Sequence, residues 1–198
     1  MHMGRLFLFF LFIVIITCSC QNRQLSSGVL VDKTDGQKFA EAYKEGDWET
    51  VISIGDTLID DSDKMNLSIG YAEALAAVGN TQKALDVLNR KLQKEPDNYY
   101  VYQTKGNIYY MLSQHDLAII NFEKVVALRP RYARPYMYLG EIYEIIGCKE
   151  QAIKYYLVAT RLFAENGLVK EAMEYGNRVL ALDSTNVEVK ELISKGVR

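Results

Sequence analysis

The chain has 198 residues, with 23 lysines and arginines against 25 aspartates and glutamates, for a formal charge of −2. That balance argues against a nucleic-acid binder, whose affinity rests on basic side chains neutralising phosphates. Arg5 is the only lysine or arginine among the first twenty residues. Behind it, Leu6–Ile16 is an unbroken run of eleven apolar residues, followed by Thr17, Cys18, Ser19 and Cys20. A positive start, a short apolar stretch and small residues before a cut read as a secretory signal peptide over 1–19. A bilayer span needs ~20 apolar residues, so this run is too short to serve as a membrane anchor in its own right.

The cysteines at the end of the run resemble a bacterial lipoprotein signal, in which a cysteine becomes the diacylated first residue of the mature protein. Cys20, preceded by Ser19, is the favoured lipidation site. Cys18 is the alternative, because Ile15 and Ile16 supply the apolar residues wanted just upstream of it. Two acyl chains would hold the protein at a membrane, each buried methylene contributing ~0.8 kcal/mol. Residues 20–31 would then be a flexible tether. Gln21, Asn22 and Arg23 carry no acidic cluster of the kind that sends some lipoproteins to the cell surface, so the expectation is a periplasm-facing protein. Removing 1–19 leaves 22 basic against 25 acidic residues, or −3, and Cys148 as the one remaining thiol if Cys20 is lipidated. A lone cysteine offers no internal disulfide.

From residue 65 onward the chain repeats. Ala84, Ala118 and Ala152 stand 34 residues apart, preceded by the small residues Ala72, Gly106 and Gly140 and by the turn residues Gly79, Ser113 and Gly147. The bulky Leu75, Tyr109 and Tyr143 recur in step, and Pro96 and Pro130 close the first two units. A fixed period of this length predicts a stacked array of helix pairs. Small residues on both helices let the backbones approach at the low end of the ~8–10 Å interaxial range. Tyr102 with Tyr109, and Tyr136 with Tyr143, would fill the gap against the neighbouring unit. Pro96 and Pro130 end second helices because proline cannot donate the interior hydrogen bond. Pro135 suits a first helical turn.

This order of residue types resembles a tetratricopeptide-repeat (TPR) protein. The resemblance implies an all-α, right-handed superhelical array of antiparallel helix pairs over 32–186, with a capping helix over 187–198. Units are expected at 65–98, 99–132 and 133–166. A weaker unit at 32–64 has Phe39 in place of the small residue and Val51 in place of the alanine, while Gly46, Asp47 and Trp48 keep the turn. Ala172 follows Ala152 by only 20 residues, with Tyr156, Thr160, Phe163 and Gly167 in fitting places before it. Either one helix near Lys149–Glu165 serves both unit four and a shortened fifth unit at 153–186, or a degenerate extra helix follows with accidental matches. The last segment, Val187–Gly196, carries Glu188, Lys190, Glu191 and Lys195, which suit the solvated outer face of a cap.

Catalytic chemistry is nearly absent from the pattern. His2 lies in the removed segment, and His115 sits in a hairpin beside Asp116 with no further ligands converging on it. No nucleophile elbow, phosphate loop or zinc motif occurs. Asp60, Asp61 and Asp63 read as solvated charges, and Cys148 as a hairpin residue. No enzyme, cofactor, metal or small-molecule substrate is therefore expected.

Recognition remains. In the family resembled, first helices line a concave groove. The matching positions here are Asn66, Ile69 and Glu73, then Tyr100, Gln103, Asn107 and Tyr110, then Arg134, Met137, Glu141 and Glu144. The family's chaperone-tail binders clamp a terminal carboxylate with lysine, arginine and asparagine. Only Asn107 fits that set, which argues against such a clamp. Of 14 tyrosines, 11 fall between Tyr99 and Tyr156. Tyr100 and Tyr110, with Tyr138 as a third candidate, exceed what packing needs and would suit an interface. The expected function is a lipid-anchored envelope scaffold that binds a protein or peptide segment, with outer-membrane, pilus or secretion assembly as the implied processes. The alternative is a structural subunit that packs through its convex face.

Overall fold

A computed structural model describes residues 34–58 and 67–196. They form ten helices, with no strand among the described residues. In chain order these are α1 (Asp35–Glu45), α2 (Trp48–Leu58), α3 (Ser68–Ala77), α4 (Thr81–Lys94) and α5 (Tyr99–Met111). Then follow α6 (His115–Leu128), α7 (Ala133–Ile145), α8 (Lys149–Glu165), α9 (Val169–Leu182) and α10 (Val187–Gly196). The expected signal, lipidation site and tether, as well as Asn66 and the aspartates at 60, 61 and 63, lie outside the described residues. Among the described residues no helix is long and apolar enough to cross a membrane.

Of the described residues, 34–38 belong to one compact unit and those from Phe39 onward to another. The first opens α1. There the Thr34 amide donates to Gln37 Oε1 at 3.0 Å and the Gln37 amide to Thr34 Oγ1 at 3.3 Å, a capping box that satisfies two helix-end donors.

In the second unit every hairpin closes in one way. The amides of Asn80, Gln114, Cys148 and Leu168 reach back five residues to the carbonyls of Leu75, Tyr109, Tyr143 and Phe163, at 2.8–2.9 Å. The residue before each has positive φ: Gly79, Ser113, Gly147 and Gly167. This is the Schellman closure, which takes up carbonyls left free at a helix end. Ser113 (φ 56°) adopts without glycine a conformation that costs an L-residue ~1–2 kcal/mol. The other connections run differently: Asn98, Tyr132 and Asn186 each donate to a carbonyl three residues back, at Glu95, Arg129 and Asp183. By this signature α8 ends one hairpin and begins the next, and it packs on α7, α9 and α10.

The sequence's small residues are the contact points between helices. Ala72, Ala84, Ala118 and Ala152 are completely buried. At Gly106 an added Cβ would lie 2.6–3.0 Å from the Phe122 ring, and at Gly140 it would lie 2.5–3.0 Å from the Tyr156 ring. Each first helix is thus pressed onto an aromatic of its own second helix. Tyr109 and Tyr143 each pack against two neighbouring core clusters and join them. Tyr102 and Tyr136 do more than fill space. Their hydroxyls donate to the carbonyls of Pro96 and Pro130, at 2.9 and 3.0 Å, pinning the start of each first helix to the proline turn before it.

Candidate protein-binding groove

The face under consideration is built by α1, α3, α5 and α7. On α5, Tyr100, Gln103, Asn107 and Tyr110 follow at helical spacing and share a face. Asn98 caps that helix, its side-chain oxygen accepting from the amides of Tyr100 and Val101. Hydroxyl–carboxylate bonds tie the helices together. Glu73 on α3 accepts from Tyr43 of α1 and, at 3.2 Å, from Thr104 of α5. Two repeats further on, Glu141 of α7 accepts from Tyr110 of α5 at 3.1 Å and from Tyr175 of α9 at 3.2 Å. Burial first, and the adjacent carboxylate second, push the phenols of Tyr43, Tyr110 and Tyr175 up from their ordinary value, Tyr43 to about 12. The phenols therefore stay protonated at neutral pH and act as donors.

The residues singled out from sequence divide into spent and available groups. Glu141 is held by two tyrosines. Glu144 accepts from Tyr156 at 2.6 Å and from Arg178 at 3.0 Å. Tyr110 and Tyr138 are not surplus: Tyr138 lies edge-on to Tyr110, at 5.3 Å, and is stacked on Phe122 at 4.8 Å, so it supports the packing around α6. Ile69 and Met137 are half-buried, and Arg134 is exposed. Tyr100 remains available, being 56% exposed.

Gln103 and Asn107 form an amide pair in the middle of this face. Gln103 Nε2 donates to Asn107 Oδ1 at 2.9 Å. Gln103 is only 8% exposed, and its Oε1 has no hydrogen-bond partner. A buried acceptor left unmade costs ~1–3 kcal/mol and is an outlier in a folded protein. The pair therefore leaves one buried acceptor unmade, next to the half-buried amide of Asn107.

Sequence reasoning missed two residues, Phe39 and Tyr43. With Ala40, Leu67, Ile69, Gly70, Glu73 and Tyr100 they line an open cleft of about 500 Å³. In sequence, Phe39 reads only as a departure from the small-residue rule. The compensating signal is Gly70, where an added Cβ would lie 3.2–3.3 Å from the rings of Phe39 and Tyr43.

Val78, Leu112 and Ile146, one repeat apart at the hairpin edge, are 49%, 42% and 43% exposed, and Ile120 on α6 is 60% exposed. Among the described residues no three His, Cys, Asp or Glu side chains converge as a metal site would require. His115 starts α6 with Nδ1 buried and unpaired, and Cys148 is a half-buried free thiol preceding α8.

Residues 99–132, the unit made by α5 and α6, match the tetratricopeptide-repeat family model. Over 94 residues, 46% of this chain, the sequence is 30% identical to a probable UDP-N-acetylglucosamine–peptide N-acetylglucosaminyltransferase SEC of Arabidopsis thaliana. A 94-residue match, 47% of this chain, is 27% identical to anaphase-promoting complex subunit 3 of Schizosaccharomyces pombe. These matches span only 9% and 14% of the two proteins' lengths. Among solved structures, a crystal structure of MamA protein superposes with a TM-score of 0.63 at 18% identity, over 82% of this chain and 88% of that one. MamA 41-end from Desulfovibrio magneticus RS-1 gives 0.62 at 22% identity, over 80% and 89%. The fold is a TPR-like solenoid of helical hairpins.

Proposed function

We propose that this protein is a non-enzymatic scaffold that holds a segment of a partner protein against the face of α1, α3, α5 and α7. The observation that carries the reading is the buried, unpartnered oxygen of Gln103 beside Asn107. A backbone amide of an extended segment would satisfy it, and Asn107 would meet the adjoining carbonyl. The test is fluorescence-polarisation screening of a random peptide library against the full chain. Gln103→Met combined with Asn107→Leu is expected to weaken every captured peptide about tenfold or more, the cost of losing two hydrogen bonds in a desolvated groove. Unchanged affinity in the double variant refutes the groove. In that event the second reading, a structural subunit docking through its outer surface, gains; it is favoured by the exposed Ile120 and by the edge row Val78, Leu112 and Ile146.

The scaffold is proposed to act at a bacterial cell envelope, tethered through lipid on Cys20, with Cys18 as the alternative, and to serve in outer-membrane, pilus or secretion assembly. The support is the sequence order of Arg5, the apolar run and the paired cysteines. Cys20→Ser should abolish acyl labelling and move the protein from the membrane to the soluble fraction. Labelling that persists in this variant and disappears in Cys18→Ser transfers the site.

A further inference from the structure

Glu73 lines an open cleft together with Phe39, Tyr43 and Tyr100. Its carboxylate accepts from two neutral hydroxyls, those of Tyr43 and Thr104, and no lysine or arginine pairs with it among the described residues. Glu141 shares this arrangement, held by Tyr110 and Tyr175, whereas Glu144 is matched by Arg178 at 3.0 Å, Asp56 by Lys83 at 2.7 Å and Glu95 by Lys91 at 2.5 Å. Hydroxyl donors hold a carboxylate in place but leave its charge uncancelled.

Around this charge stand aromatic rings. Phe39, buried in the core, backs the exposed Tyr43 with ring centroids 6.5 Å apart, and Gly70 leaves them room against α3. Tyr100, more than half exposed, contributes to the lining of the same cleft. Ring faces attract cations, and a long basic side chain can lay its hydrocarbon stem on them while its head meets a carboxylate. An acidic guest would be repelled there, and a purely apolar one would bury Glu73 without a counter-charge.

We propose that this cleft is a specificity pocket for a lysine or arginine side chain of the partner segment. The assignment rests on the peptide-binding reading of the face. Tyr100 is one helical turn before Gln103, and Thr104, which holds Glu73, is its neighbour. A backbone seated on Gln103 and Asn107 would thus place a nearby side chain at Phe39, Tyr43 and Glu73.

The experiment uses the full chain and fluorescein-labelled nonapeptides of alanine and serine that differ only at the central residue. Arginine and lysine are expected to bind about tenfold tighter than norleucine, an unbranched neutral side chain. Glu73→Gln keeps an acceptor for both hydroxyls while removing the charge, and it should erase the preference for arginine and lysine over norleucine. Tyr100→Ala should reduce it, and thermal melts of both variants report whether the fold is intact. In parallel, n-butylguanidinium chloride should shift the amide resonances of Tyr43, Glu73 and Tyr100 in the wild type and not in Glu73→Gln. Equal binding of arginine and norleucine peptides, or a preference that survives Glu73→Gln, overturns the pocket while leaving the groove standing. If no peptide binds but butylguanidinium still shifts those amides, the cation pocket stands and the groove reading falls. If butylguanidinium shifts none of them, the pocket falls.

Discussion

Raised above pH 10, the protein is expected to lose its helical circular dichroism within about one to two pH units. Burial is the leading cause that pushes up the phenols of Tyr43, Tyr71, Tyr110, Tyr136, Tyr138, Tyr143, Tyr155, Tyr156 and Tyr175. Neighbouring carboxylates add to it: Glu73 at Tyr43, Glu141 at Tyr110 and Tyr175, Glu144 at Tyr156 and Asp56 at Tyr71. A folded value above the unfolded one means the contribution is complete below pH 10. It is lost as pH rises through the folded values, about 12 for Tyr43. In that window the unfolded chain has released protons that the native state retains, so stability falls with pH. If only three such tyrosines remain protonated in the fold, the slope is about 4 kcal/mol per pH unit, against a total stability of roughly 5–15 kcal/mol. Absorbance at 295 nm should show tyrosinate appearing in one cooperative step coincident with loss of helix. A gradual titration centred on pH 10, with the helices intact, would contradict the packing described. Replacing Tyr156 and Tyr175 together with phenylalanine should make the alkaline transition shallower.

The second large effect is expected at Phe122. This ring is fully buried, stacked on Tyr138 at 4.8 Å with planes only 2° apart, and fills the space over Gly106. Phe122→Ala should cost about 3–5 kcal/mol, a large fraction of the stability of such a fold. The partner substitution gives the sharper test. Gly106→Ala in the wild type drives a methyl to within 2.6 Å of the ring, a contact that must move either the ring or α5. In the Phe122→Ala background the same change meets no ring, and alanine's helix propensity should make it stabilising by up to about 1 kcal/mol. Urea denaturation of the four proteins would measure the coupling. Additive effects would mean that the two positions do not touch.

The parts of this protein legible in sequence are those where one residue type has one physical job. Alanine or glycine at a helix crossing, as at Ala84, Ala118, Ala152, Gly106 and Gly140, leaves no room for an alternative, so the spacing announces the packing. Hairpin positions are equally plain, because four of the five positive-φ residues among the described residues are glycine. Ser113 was recognised only through its register. Tyr102 and Tyr136 were assigned to packing correctly in place but incompletely in role. Their bonds to the proline carbonyls depend on a local turn geometry that composition does not encode.

Polar residues behaved differently, since a glutamate or tyrosine on the right face can be spent or free. Glu141 lies 31 residues from Tyr110 and 34 from Tyr175, and all three meet only because consecutive hairpins stack. Tyr138 read as available until its ring was found against Phe122. Phe39 and Tyr43 were overlooked because the first unit breaks the repeat, and only their approach to Gly70 and Glu73 makes them a cleft wall.

By itself, then, the order of amino acids determined where helices begin, where they turn and which faces pack, because steric size and backbone freedom act over a few residues. Tertiary structure alone decided which groups on the exposed face are left with unmet charge or hydrogen-bonding capacity. That depends on which side chains the stacked helices bring together, and it left the Gln103 oxygen unmade and Glu73 without a basic partner beside an aromatic cleft.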